Sequence, residues 1–87
     1  MSAGQVLARL AAAAQKLDEA KAKTVAAVQD VEEARNLTAG ALEGIGGAQL
    51  IGIIDACRQA LGQAAQAADP AKQHVQETMT RVQALGS

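Results

Sequence analysis

Cys57, His74 and the carboxylates Asp30, Glu32 and Glu33 are the residues whose types could do chemistry. A cysteine with a histidine could supply a thiolate nucleophile or part of a zinc site, and carboxylates crowded on one turn could serve a cation or acid–base work. Neither set is complete. Cys57 is the only cysteine and His74 the only histidine. No disulfide can therefore form within the chain, and a tetrahedral zinc site lacks ligands. Neighbouring carboxylates on a helix point in different directions, so Asp30, Glu32 and Glu33 read as a solvated face. His74, beside Lys72 and Gln73, reads as a surface residue. Cys57 reads as a small buried hydrophobe, with an intermolecular disulfide as its other use. No nucleophile–base arrangement, phosphate-cradling loop or cofactor motif is present. The expectation is a protein that is not an enzyme, with no catalytic, cofactor-binding or metal residues and no cofactor.

The elements that carry these residues follow from composition. The 87 residues include no Phe, Trp or Tyr, yet 49% are hydrophobic, and Ala alone makes up about a quarter. Large buried rings are unavailable, so a core has to come from many small contacts between closely spaced helices. A capping box, Ser2 with Gln5, marks the start of the first helix. Apolar or small residues then recur in steps of threes and fours at Leu7, Leu10, Ala14, Leu17, Thr24, Val28, Val31, Thr38, Leu42 and Ile45. A parallel seam runs through Val6, Leu10, Ala13, Leu17, Ala20, Thr24, Ala27, Val31 and Ala34. Two adjoining seams make a stripe wide enough for a bundle. Lys21 and Arg35 fall on the first seam and interrupt a strict heptad. Glu19 to Lys23 and Glu77 to Arg81 have the i,i+4 spacing of surface ion pairs.

Gly44, Gly46 and Gly47 mark the turn, because glycine enters the left-handed conformation that closes helices. Gly40 and Gly44 form a GxxxG step, read here as turn punctuation. The second arm carries Leu50, Ile54, Cys57, Leu61, Ala64 and Ala68. Asp69-Pro70 then starts a new helix or kinks the old one. The last segment runs through Ala71, Val75, Thr78 or Met79, Val82 and Leu85, and Gly86-Ser87 frays. The predicted fold is all-α: one domain over 1–87, a long antiparallel helical hairpin with its second arm kinked or broken at Asp69-Pro70. The predicted elements are a helix over about 3–43, a turn at about 44–48, and helices over about 49–68 and 70–85. Two arms cannot cover both sides of a wide stripe, so dimerisation into a four-helix bundle completes the fold.

Leu50, Ile51, Ile53 and Ile54 cover more than one face of a helix, so part of this run is expected to meet something other than the first helix. The expected interface residues are Leu50, Ile51, Ile53, Ile54, Cys57, Leu61, Leu17, Val28 and Val31. The expected partners are a second copy, as homodimer or higher homo-oligomer, or a helical protein. Basic and acidic residues number 8 and 9 and are interspersed. With no basic stripe and no stacking aromatics, nucleic-acid binding is disfavoured. The longest uncharged apolar stretch, Ile45 to Ile54, is about half of what spans a bilayer, so no membrane span is expected. Arg9 breaks the first apolar stretch, unlike a signal peptide. The expected location is the cytoplasm, with any export by a route other than Sec.

A long first helix, the glycine-bearing turn Glu43-Gly44-Ile45-Gly46-Gly47 and a second helical arm resemble the WXG100 family of small hairpin proteins. The alanine-rich composition also resembles short helical proteins of high-GC actinobacteria. The WXG100 resemblance implies an antiparallel dimer of hairpins associated with type VII secretion. The turn has no Trp and the chain has no Tyr, so no functional residue is carried over. The functional expectation is a helical interaction protein acting by homo-oligomerisation or by binding a helical partner, as a WXG100-like companion in a secretion or toxin system. The other expectation is a self-assembling scaffold or filament.

Overall fold

The computed structural model describes residues 1–86. It is a hairpin of two helices, α1 (Ala3–Ala41) and α2 (Ala48–Gly86), each of 39 residues. They lie side by side as a rod of 68 × 14 × 14 Å. The cap at Ser2 forms as expected. Ser2 N–H donates to Gln5 Oε1 at 3.0 Å, and Gln5 N–H donates to Ser2 Oγ at 3.2 Å. Two otherwise free backbone donors are thereby satisfied.

Residues 42–47 make the turn. Gly44, Gly46 and Gly47 have φ of 77°, 108° and 104°, values that L side chains rarely adopt. A Cβ on Gly47 would also run into the Leu42 side chain, so this glycine is required twice over. Gly40 is different. It is helical, and a Cβ there would meet nothing within 4 Å. The GxxxG step therefore makes no close approach inside the hairpin. Gly40→Ala is expected to raise stability by about 0.5–1 kcal/mol, since alanine replaces a residue that loses more backbone freedom in a helix. Thermal melting at fixed concentration measures this.

Of the two alternatives at Asp69-Pro70, a kink or a break, the break does not occur. α2 runs through Pro70 as one helix, so the separate helices over 49–68 and 70–85 are not formed. Pro70 is exposed, and its ring points to solvent while the flanking turns stay docked on α1. The local cost of a helical proline is outweighed by a long arm packed on both sides of it. Gly86, expected to fray, closes α2; Ser87 lies outside the described residues.

One strict heptad seam runs the length of each helix. In α1 it is Leu7, Leu10, Ala14, Leu17, Lys21, Thr24, Val28, Val31, Arg35, Thr38 and Leu42, all half-buried. Thr24 and Thr38 donate their hydroxyls to the carbonyls of Ala20 and Ala34, each at 2.7 Å, which satisfies the hydroxyl within the helix. Ile45, expected on this seam, is 78% exposed at the tip of the turn. In α2 the seam is Ile51, Ile54, Arg58, Leu61, Ala65, Ala68, Lys72, Val75, Met79 and Val82, all half-buried except Ala65, which is buried. Ala65 is the only buried hydrophobic residue among those described. Two slender helices shield each other mainly along this line, with partial cover for flanking residues such as Val6, Ala13, Ala27 and Thr78.

Candidate interaction surface

The two sides of this rod differ in chemistry. Call the seam positions a and d, in the usual heptad lettering. In an antiparallel pair the e positions of both helices share one side and the g positions share the other. The e side holds acids: Asp18 and Glu32 from α1, Asp55 and Asp69 from α2. Each reaches across to a base on the other helix's seam. Lys21 Nζ lies 2.6 Å from Asp69, Arg35 Nε 2.7 Å from Asp55, Arg58 Nη1 3.3 Å from Glu32, and Lys72 Nζ 2.9 Å from Asp18. In every pair the two residue numbers add to 90, which places the axis of the hairpin at Ile45, in the turn. Four separate bonds thus state one register.

These side chains are only partly covered. Arg35 and Asp55 keep 39% and 37% of their side-chain exposure, so each bond contributes at most about 1 kcal/mol. Glu32, Arg35, Asn36, Asp55 and Arg58 line a shallow open hollow of 330 Å³. Its carboxylates are engaged by the two guanidiniums, and it contains no nucleophile. Arg58 Nε is buried without a hydrogen-bond partner, because Nη1 is the atom that reaches Glu32. Glu32, read from the sequence as part of a solvated face, is therefore one half of a cross-helix bond. The expected local pairs also change partners. Glu19 takes Lys16 at 3.1 Å, and Glu77 lies 3.7 Å from His74. His74 itself is 76% exposed at its side chain, as read from the sequence. Among the described residues no three His, Cys, Asp or Glu side chains gather to hold a metal.

The g side carries no charge at its g positions. From α1 it presents Val6, Ala13, Ala20, Ala27, Ala34 and Ala41. From α2 it presents Leu50, Cys57, Ala64, Ala71, Thr78 and Leu85. The c positions beyond them add Leu37 and Ile53 near the turn. Leu37 is 68% exposed, Ile53 60% and Leu50 46%. Cys57, expected to be buried on the inner seam, is exposed on this side. The reason is geometric. The series Leu50, Ile54, Cys57, Leu61, Ala64, Ala68 alternates g and d positions, so only Ile54, Leu61 and Ala68 face α1. The parallel series in α1 from Val6 to Ala34 alternates in the same way.

The hydrophobic run divides accordingly. Ile51 and Ile54 are half-buried in the seam, while Leu50 and Ile53 stay exposed. Leu17, Val28, Val31 and Leu61 are half-buried between α1 and α2, so the hairpin itself occupies them. Leu50, Ile53 and Cys57 are the interface candidates it leaves free. The cross-helix bonds carried a sequence signal of their own. An acid three residues before a base occurs as Asp18/Lys21, Glu32/Arg35, Asp55/Arg58 and Asp69/Lys72. Within each arm the two copies are separated by two heptads. Lys21 and Arg35 interrupt the apolar seam because they belong to this pattern.

Among the described residues no helix is long and apolar enough to cross a membrane. Comparison with curated proteins found no match, and comparison with solved structures found none. One family model does match, over residues 1–87: the family of unknown function DUF6244. The chain belongs to that family.

Proposed function

We propose that this DUF6244 hairpin is a non-enzymatic helical interaction protein, which works by laying its uncharged g side against helices of another subunit. The observation that carries this reading is the pairing of Leu50 and Ile53, exposed and apolar, with a column of alanines beside them. Alanine lets a second helix come close, and the larger side chains supply the area that close approach buries. The surface total points the same way. The chain exposes 6148 Å², whereas a globular monomer of 8.8 kDa exposes roughly 4,800 Å². A rod with a single buried hydrophobe among its described residues is expected to be covered by a partner.

The hairpin architecture supports a role like that of the WXG100 proteins, as a companion in a secretion or toxin system. The lack of Trp and Tyr leaves that likeness at the level of architecture. A scaffold or filament is the second reading, and one observation favours it. The rod has apolar residues at both tips, Ile45 at the turn and Met1 and Leu85 at the open end, exposed by 78%, 74% and 88%. End-to-end stacking would cover them.

Light scattering across a concentration series separates these readings. A fixed small oligomer supports the interaction protein, and growth with concentration supports the filament. Ile53→Glu is the informative variant, because Ile53 lies outside the hairpin's own seam. It is expected to dissociate the assembly while a hairpin at high concentration keeps its helicity. A wild-type chain that is monomeric, fully helical and cooperatively melting at micromolar concentration would overturn the proposal.

A further inference from the structure

We infer that the open-end half of the g side is a docking site for an acidic amphipathic helix of another protein, one whose apolar stripe is flanked by carboxylates. This rests on the reading above that the g side is an interface, and it names the chemistry of a partner.

The distribution of charge is the first support. Four of the eight bases, Lys21, Arg35, Arg58 and Lys72, are held by cross-helix acids. The other four are Arg9, Lys16, Lys23 and Arg81, and all are exposed. Every one of them is a c residue, and the c rows flank the g side. Arg9, Lys16 and Lys23 follow one another along one edge at seven-residue steps, about 10 Å apart. The hairpin register sets Arg81 across from Arg9, and the titratable His74 across from Lys16, on the other edge. From the open end as far as Lys23, no acid occupies a c or g position of either helix. Asp30 is the next c residue of α1 and closes the patch. The remaining acids lie elsewhere, Glu19, Glu33 and Glu77 at f positions and Glu43 in the turn. The chain carries −1 overall, so this basic rim stands against an acidic remainder.

Local contacts leave the rim available. Lys16 lies 3.1 Å from Glu19, but its side chain is 80% exposed, and a pair so exposed contributes little. Arg9, Lys23 and Arg81 make no ion pair among the described residues.

The floor between the two edges is the second support. It presents Val6, Ala13 and Ala20 from α1 and Ala71, Thr78 and Leu85 from α2. Side chains this small let a further helix approach both arms closely. A helix about 10 Å across fills a side 14 Å wide, so the site takes one helix. A heptad-patterned helix presents its flanking positions every seven residues, the same step as Arg9, Lys16 and Lys23, and its carboxylates meet the rim in register. Another copy's open half carries the same basic rim, so like charge opposes self-pairing here. A lipid-binding surface sets Lys and Arg beside its large apolar residues, whereas Leu37, Leu50 and Ile53 lie beyond Asp30, away from the rim. Half of a 68 × 14 Å side buries on the order of 1,000 Å² counting both partners, the size of a weak, transient contact.

The test uses the full-length chain and two dye-labelled synthetic helices about three heptads long. Both have a Leu/Ala stripe; one is flanked by Glu and the other by Lys. The Glu-flanked peptide is expected to bind at least roughly tenfold more tightly, with an affinity that falls as salt is added. Lys16→Glu with Lys23→Glu is expected to reverse the preference, while Gln66→Lys on the opposite side leaves it unchanged. Equal affinity for the two peptides, or binding of neither, overturns the inference. A response to Gln66→Lys as large as that to the double variant overturns the choice of side. Tighter binding to vesicles of phosphatidylcholine and phosphatidylserine than to the Glu-flanked peptide overturns the helical partner in favour of a lipid surface. The oligomeric state of the chain alone, and its response to Ile53→Glu, report on the interaction reading, so the two can fail separately.

Discussion

Pro70→Ala is expected to stabilise the hairpin by about 2–3 kcal/mol and to raise its melting midpoint by roughly 10–20 °C for a chain of this size. Pro70 lies well inside α2. It has no N–H, so the carbonyl of Gln66 loses its helical donor, and the pyrrolidine ring crowds the preceding turn. Asp69 is constrained as well, because a residue before proline is pushed away from helical angles. Pro70 is exposed, so replacing it removes no seam contact. The Lys21–Asp69 bond at 2.6 Å involves only the neighbouring side chain and stays in place. Thermal melting followed by circular dichroism, at a concentration where the oligomeric state is fixed, gives the number. An unchanged midpoint would mean that α2 is not continuous at this point in solution.

Pro70 also marks where sequence reading reached its limit. Asp69-Pro70 has the local chemistry of a helix start, and local chemistry leaves a break or a kink open. The break is prevented by what lies on either side, Ala65 and Ala68 before it and Lys72 and Val75 after it, all seated against α1. That is a tertiary effect, and no window of a few residues contains it. The features set by local rules were legible. The Ser2–Gln5 cap, the three glycines of the turn and the first seam of α1 all depend on residues within a few positions of one another. The seam of α2 was legible only as a set of candidates, since the Leu50–Cys57–Ala64 and Ile51–Arg58–Ala65 columns lie side by side. Arg58 and Lys72 made the true column look polar, and an apolar reading passes over them. Their acids are on the other helix, and the acid-before-base spacing repeated within each arm becomes a pairing rule only when the two arms are set side by side.

The same four bases explain how this hairpin selects one alignment from several. Apart from these bases its seam consists of Ala, Val, Leu, Ile, Met and Thr, side chains whose contacts carry no direction and specify no single partner across the rod. Sliding α2 past α1 by one heptad would keep the seam apolar on both helices and leave packing nearly indifferent. The charges are not indifferent. A slip of seven residues in one direction would put Lys21 opposite Gly62, Arg35 opposite Ala48, Arg58 opposite Val25 and Lys72 opposite Ala11. The opposite slip presents Gln76, Gly62, Ala39 and Val25. In either case all four bases, half-covered in the seam, lose their acids together. A polar group at a seam position costs stability and fixes register, and here the requirement is repeated in both halves of the rod.

Reversing one of these layers should therefore be costly and repairable. Arg35→Glu with Arg58→Glu sets two new carboxylates beside Glu32 and Asp55. Two cross-helix bonds are lost and two like-charge contacts appear. The expected loss is about 2 kcal/mol after allowance for the solvent exposure of these side chains, seen as a lower urea midpoint with an unchanged slope. Adding Glu32→Arg and Asp55→Arg restores opposite charges in the same places, and most of the loss should return. Recovery shows that the pairing itself carries the effect, since no side chain of the original layer remains. The repair should also weaken with added salt, because the exposed layer is screened within a Debye length of about 8–10 Å. A quadruple variant no more stable than the double variant would mean that Arg35 and Arg58 act through their aliphatic stems alone. The register would then have to come from the glycine turn, whose positive-φ residues fix the length of the connection at one end of the rod only.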